Sequence, residues 1–189
     1  MARVQLPAGA SHRWSSMYTF EIVSQPGTTD TIELDHRIFP FAGKFGQRQT
    51  GTAVLKEDDS VVAALSFSPD RNQPHWCRIR YLAVARDRQG EELASRLAEQ
   101  FVEWCATAGF EQLLITVLNP YLVVSLARVG FGFTGENGPT GGVILAHPFS
   151  GDLLIVEAMR SLAEHTSDER HRRYAQRYVE KLDPAGDDL

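Results

Sequence analysis

The sequence predicts an α/β protein of the α+β kind: a mixed, mainly antiparallel sheet around one parallel strand pair, with helices on both faces and two extra helices at the C-terminal end. Three observations carry this. Residues 78–118 read as strand, tight turn, long helix and strand, a length that suits a right-handed crossover between parallel neighbours. The chain before them reads as an antiparallel hairpin, and the chain after residue 151 repeats apolar residues at helical spacing.

In chain order, residues 18–23 (YTFEIV) form a first strand, closed by Gln25-Pro26-Gly27. Asp30 then caps a short helix that carries Ile32, His36 and Phe39 and is stopped by Pro40. Around the following PFAGKFGQRQTG, the aromatics Phe39, just before it, and Phe41 and Phe45 within it are interleaved with Gly43 and Gly46. That pattern suits either a lip over a pocket or a loop whose apolar anchors tuck into the core. Residues 52–56 and 61–68 flank Glu57-Asp58-Asp59-Ser60 as the two strands of a hairpin with an acidic tip.

The centre of the chain is the strand 78–84, where Ile79, Tyr81 and Ala83 alternate with Arg80, Leu82 and Val84. A helix spans 90–108: from Leu93 the apolar residues Ala94, Leu97, Ala98, Phe101, Trp104 and Cys105 share one face, and Gly109 stops it. Residues 112–118 (QLLITVL) are apolar on both faces, as in a buried strand. Asn119-Pro120 ends that strand and opens a short helix, and residues 131–134 and 143–147 close the sheet around the turn-rich GENGPTGG. In the tail, Ile155, Ala158, Met159, Leu162 and Ala163 make one apolar stripe and Tyr174, Ala175, Tyr178, Val179 and Leu182 a second. The last helix carries Arg170, Arg172, Arg173, Arg177 and Lys181 on its other side, which is either a solvated cationic face or a docking surface for an acidic partner or a second subunit, as in a homodimer.

At 189 residues the chain suits one domain, with residues 1–16 a disordered leader, 17–150 the principal domain and 151–189 a helical extension packed on it. Hydrophobic residues make up 43% and no apolar run nears the roughly 20 residues of a membrane span, so no membrane role is expected. A net charge of −5 argues against nucleic acid as a partner. Two cysteines, Cys77 and Cys105, make no disulfide framework and fit a reducing cytoplasm, with Cys105 a buried thiol. No Cys/His cluster has metal-ligand spacing.

The turn between strand and helix, residues 88–95, is where chemistry would sit. A helix N terminus aims its N–H groups at whatever lies beyond the strand end, which makes a phosphate cradle. The same pattern is also an ordinary connection, and Glu91 and Glu92 in a first turn would satisfy the helix dipole with no ligand.

The surrounding stretch, LAVARDRQGEELASRLAEQ, resembles the acyl-CoA signature of the GNAT superfamily of N-acyltransferases, a strand followed by Gln/Arg-x-x-Gly-x-Gly/Ala at a helix start. Gln89 takes the Gln/Arg place, Glu92 the first glycine place and Ala94 the Gly/Ala place. Asn119, a short helix and Gly130-Phe131 resemble a second element of that family, and the likeness covers about 78–134. It implies a GNAT-like sheet whose central parallel pair splays to admit pantetheine. It further implies an acyl-CoA, chiefly acetyl-CoA, as co-substrate, bound by the backbone of Leu82, Ala83 and Val84, by Gln89, Gly90, Glu91, Glu92, Leu93, Ala94 and Ser95, and by Asn119. The implied activity is N-acyl transfer to a primary amine. Glutamate replaces glycine at 92, and Leu126 stands where the family often has a tyrosine that protonates the departing thiolate, leaving Ser125 and Tyr121 as the nearest hydroxyls.

The chemistry requires a base for the amine, donors for the oxyanion and a proton for the thiolate. His75 is the candidate base, acting through water. The acceptor is any amine the acidic hairpin tip tolerates, from a polyamine to an amino acid or a protein lysine. The rival expectation is a catalytically inactive acyl-CoA-binding or interaction module of the same fold.

Overall fold

The computed structural model describes residues 17–27, 33–45, 47, 49–148 and 155–182. Among them the elements run β1 (Tyr18–Ser24), β2 (Gly51–Glu57), β3 (Ser60–Pro69), β4 (Trp76–Val84), α1 (Leu93–Thr107), β5 (Gln112–Val117), α2 (Pro120–Ala127), β6 (Gly132–Asn137), β7 (Val143–His147), α3 (Ile155–His165) and α4 (Glu169–Leu182). The class is the expected one, mixed α/β with mainly antiparallel strands. The chain divides into two compact units, Met1–Glu111 and Gln112–Leu189.

In the N-terminal unit β1, β2, β3 and β4 form an antiparallel meander. One face carries α1: the Phe67 ring lies 4.9 Å from Phe101 and 5.2 Å from Trp104. Leu93, Leu97, Ala98, Phe101 and Cys105 are the buried stripe of that helix. Each large apolar side chain so placed contributes about 1.5–3 kcal/mol as an upper bound. Gly51 is required here, since a Cβ at that position would fall 2.4 Å from the Phe67 ring. Cys77 and Cys105 are both buried, as expected of Cys105, whose thiol burial pushes well above the ordinary value.

The other face of the meander is covered by the segment before β2. Phe39, Ala42 and Phe45 pack there against Val54, Ala64 and Ala83. The helix expected near residues 30–40 is not found among the described residues 33–40, which form turns; Asp30 and Ile32 lie outside the described residues. A single turn closes on Asp35, whose carbonyl accepts from the N–H groups of Ile38 and Phe39. The Asp35 carboxylate binds the Arg37 side chain rather than capping a helix. Of the residues expected on that helix, Phe39 is buried against the sheet and His36 is exposed.

A second departure lies in β4. Tyr81 pairs with Ser66 and Ile79 pairs with Phe67, so Arg80 is an extra residue in a β-bulge. Directly opposed residues share a face. Ile79 therefore lies on the α1 side with Phe67, whereas Tyr81 and Ala83 face the aromatic loop. The strict alternation expected through 78–84 is broken at Arg80.

In the C-terminal unit β7 lies between β5 and β6, antiparallel to both. The Asn119 side chain accepts from the Tyr121 N–H and Pro120 occupies the first turn of α2, the arrangement that Asn-Pro favours. The tail forms the two expected helices. Ala158, Met159 and Leu162 of α3 and Ala175 of α4 are buried, and α3 packs on α2, α4, β6 and β7. Arg172 and Arg173 bond Glu169 within α4, so part of the cationic face is neutralised locally. Among the described residues no helix is long and apolar enough to cross a membrane.

Candidate acyl-CoA turn

The residues singled out in the sequence fall in both units. Leu82, Ala83 and Val84 end β4, and Gln89 to Ser95 form one continuous turn into α1, all in the N-terminal unit. Asn119, Tyr121 and Ser125 lie on α2 in the C-terminal unit.

Sterics set the shape of the turn. After β4 a single 3-10 turn spans Arg86–Arg88, Gln89 is extended, and Gly90 takes φ +100°, a conformation glycine adopts without penalty. Glu92 also stands in the left-handed region, at φ +60°. A glycine place in the acyl-CoA signature is thus occupied by a residue that keeps the backbone glycine would choose, at a cost of about 1–2 kcal/mol. Helix α1 starts at Leu93 rather than at Gly90, so neither Glu91 nor Glu92 lies in its first turn, which holds no acid. Nor does Glu92 provide a side-chain cap. The N-terminal end of α1 keeps its positive end toward the turn, with Glu92 at its N-cap position. No atom lies within 4 Å of the Cβ position of Gly90, so the turn has room on that side.

Arg88 explains why the turn is held in place. Its guanidinium binds Glu57 at the end of β2 and Glu91 in the turn, with a further bond to the Tyr18 hydroxyl of β1. Hydrogen bonds from Arg88 hold the Glu57 and Glu91 carboxyls below the usual carboxylate value. The same bonds, first from Glu91 and then from Glu57, raise Arg88 above the ordinary arginine value. Arg88 is thus committed to these two acids. The acidic hairpin tip is likewise reduced, because Glu57 belongs to this ion pair and only Asp58 and Asp59 project.

The proposed acid and base residues fare differently. His75 lies in the turn before Trp76, at the far end of β4 from Val84. Six residues, with the bulge at Arg80 among them, separate it from Leu82. The His75 carbonyl accepts from the Glu111 N–H. The Ser125 hydroxyl donates to the Tyr121 carbonyl 3.1 Å away. The Tyr121 ring stands 4.0 Å from Tyr174 and 6.2 Å from His171 of α4. Leu126, at the family's tyrosine place, is 0% exposed and serves the core of the unit.

The sequence reading missed Arg80, whose side chain the bulge turns toward Ser68. Periodicity carries no signal for a bulge, so the residue looked like one more member of an alternating strand.

Comparison with known proteins supplies the family. A family model described as acetyltransferase (GNAT) family matches residues 14–131. Similar solved structures include a GCN5-related N-acetyltransferase from Kribbella flavida, 21% identical with TM-score 0.45, covering 53% of this chain and 68% of that one. Another is GCN5 of Tetrahymena, 18% identical with TM-score 0.46, covering 55% and 72%. A third is yncA, a putative acetyltransferase from Salmonella typhimurium solved with acetyl-CoA, 14% identical with TM-score 0.45, covering 55% and 67%. No curated protein matches. The family model spans more than half of the sequence, and the chain belongs to the GNAT family of acetyltransferases.

Proposed function

We propose that the protein transfers an acetyl group from acetyl-CoA directly to a primary amine, with the pyrophosphate of the co-substrate over the N-terminal end of α1. The observation that carries this is the turn from Gly90 to Ser95: left-handed backbone at 90 and 92, no side-chain cap from Glu92 and no acid in the first helical turn. Backbone donors serve a phosphate whatever the side chain, and Glu92 is exposed. The residues present therefore fit the group.

In the reaction the amine nitrogen attacks the thioester carbonyl carbon. The N–C bond forms, the C–S bond breaks, the amine proton passes to water and the thiolate leaves as CoA. A thiol of pKa about 8.5 is a good leaving group near neutrality and is protonated by water. Holding the two reactants together supplies most of the rate. Backbone N–H groups at the end of β4 are suited to pair with the pantetheine amide and to steady the oxyanion.

Two observations favour a second reading, an inactive relative that binds acyl-CoA weakly: the negative charge of Glu92 and the buried Leu126. Calorimetric titration with acetyl-CoA at low and high salt, paired with thiol release in the presence of amines, separates the two. Saturable binding with amine-dependent release supports acetyl transfer; binding without release supports the inactive relative.

A further inference from the structure

We propose that Arg80 recognises a carboxylate on the acceptor, so that the amine acetylated belongs to an amino-acid-like molecule with an apolar side group and not to a polycation. This rests on the acetyltransferase reading above and names the substrate class for it.

The bulge in β4 places Arg80 on the face that also carries Ser66, Ser68 and Tyr81, where its Nε donates to the Ser68 hydroxyl at 3.0 Å. A guanidinium has five donors in a planar fork. No carboxylate among the described residues pairs with Arg80, so its two terminal nitrogens are left for a ligand in the bidentate geometry that suits a carboxylate. The nearest acid, Asp70, is already used: it accepts from Nε and Nη2 of Arg78 and from the N–H groups of Asn72 and Gln73. Arg71, Arg78 and Arg80 thus stand against one carboxylate, which repels a polyamine. Partial desolvation, with Arg78 and Arg71 adjacent, lowers the Arg80 value from that of an ordinary arginine, a sign that the cation lacks compensation. Ser66, fully buried and opposite Tyr81 on this face, has a hydroxyl with no hydrogen-bond partner among the described residues.

The apolar half of the ligand is read from the loop over the same face. Phe41 holds the left-handed region at φ +59° and is 68% exposed, with its ring 6.4 Å from that of Tyr81. Strain of this kind in a bulky residue that buries little is a pointer to binding. Ile38, 44% exposed, lies beside it in the chain, and its carbonyl accepts from Arg86 just past β4. Arg80 is two residues, about 7 Å, before Leu82.

The test compares L-phenylalanine, L-phenylalaninamide and spermidine as acceptors for the full chain, alongside direct binding of each by ligand-observed NMR. The expected result is that phenylalanine binds and is acetylated with KM about tenfold or more below that of the amide, with spermidine poorest. Arg80→Gln should raise the phenylalanine KM by about that factor and leave the amide KM in place, while Arg80→Lys falls between because it lacks the fork. Equal or better use of the amide or of spermidine overturns the proposal, as does an Arg80→Gln protein with an unchanged melting temperature and an unchanged phenylalanine KM. If Arg80→Gln does not fold, the acid-to-amide ratio of the native protein decides. Failure of acetyl-CoA to bind overturns the acetyltransferase reading alone, since the NMR comparison still reports on Arg80.

Discussion

Replacing Glu92 by glycine tests the turn in two independent ways. A left-handed backbone costs a residue with a Cβ about 1–2 kcal/mol, and Glu92 at φ +60° carries that cost. Glycine removes it but widens the unfolded ensemble, which returns about 0.4–1 kcal/mol. Glu92→Gly should therefore stabilise the chain by roughly 0.8 kcal/mol net, the difference between the midpoints of those ranges. Relief of an exposed like-charge contact with pyrophosphate adds up to about 1 kcal/mol of binding, close to a fivefold gain in acetyl-CoA affinity. Glu92→Gln separates the contributions, since it keeps the strained backbone and removes the charge. Urea unfolding reads the first effect, and calorimetric titration at low and high salt reads the second. Salt should narrow the affinity gap between the native protein and both variants. If Glu92→Gly is less stable than the native chain, or if both variants bind acetyl-CoA no better than it does, the account of this turn is wrong.

Four further outcomes follow from other parts of the molecule. Gly51→Ala drives a Cβ into the ring of Phe67, which Phe101 and Trp104 hold in place, and should cost about 1–3 kcal/mol in urea unfolding. Met159→Ala empties a fully buried site on α3 and should cost about 2–5 kcal/mol by the same measurement, whereas a tail helix that covers nothing would be indifferent. The folded-state values of Glu57, Glu91 and Asp70 are lowered, and that of Asp35 is lowered to about 2 by Arg37. The stability they contribute should hold above about pH 4.5 and be lost progressively as pH falls below it, with Arg88→Met removing part of that dependence. Ser125→Ala should lower kcat by less than about tenfold, because the thiolate departs without a dedicated acid.

Much of the fold was legible because it is written in short-range periodicity. The hairpin strands, the face of α1 and the two tail stripes each repeat with the period of their element, and the Asn-Pro start of α2 is a local capping signal. In the segment before β2, the helix expected over Ile32, His36 and Phe39 does not form in the described residues 33–40: His36 is exposed and Phe39 is buried on the sheet from a turn. Of the two readings offered for its aromatics, the structure divides them: Phe39 and Phe45 are buried anchors and Phe41 projects. The turn proposed to hold acyl-CoA could be located in the sequence because Gly90 stands three residues before the helix start at Leu93. The place of His75 at the far end of β4 from Val84 could not be read there, since it depends on β4 beginning at Trp76. Arg80 was invisible for the same kind of reason: a bulge is set by pairing with β3, and neither strand alone encodes it.

The central claim is that the turn into α1 serves acetyl transfer, and amine-dependent release of free thiol from acetyl-CoA tests it most directly. The account predicts saturable release that requires both acetyl-CoA and an amine, with one acetylated amine formed for each thiol and with Glu92→Gly lowering the KM for acetyl-CoA. Absence of release with every amine offered, together with no heat of acetyl-CoA binding in either the native protein or Glu92→Gly, would contradict it and leave the turn as a helix start without a ligand.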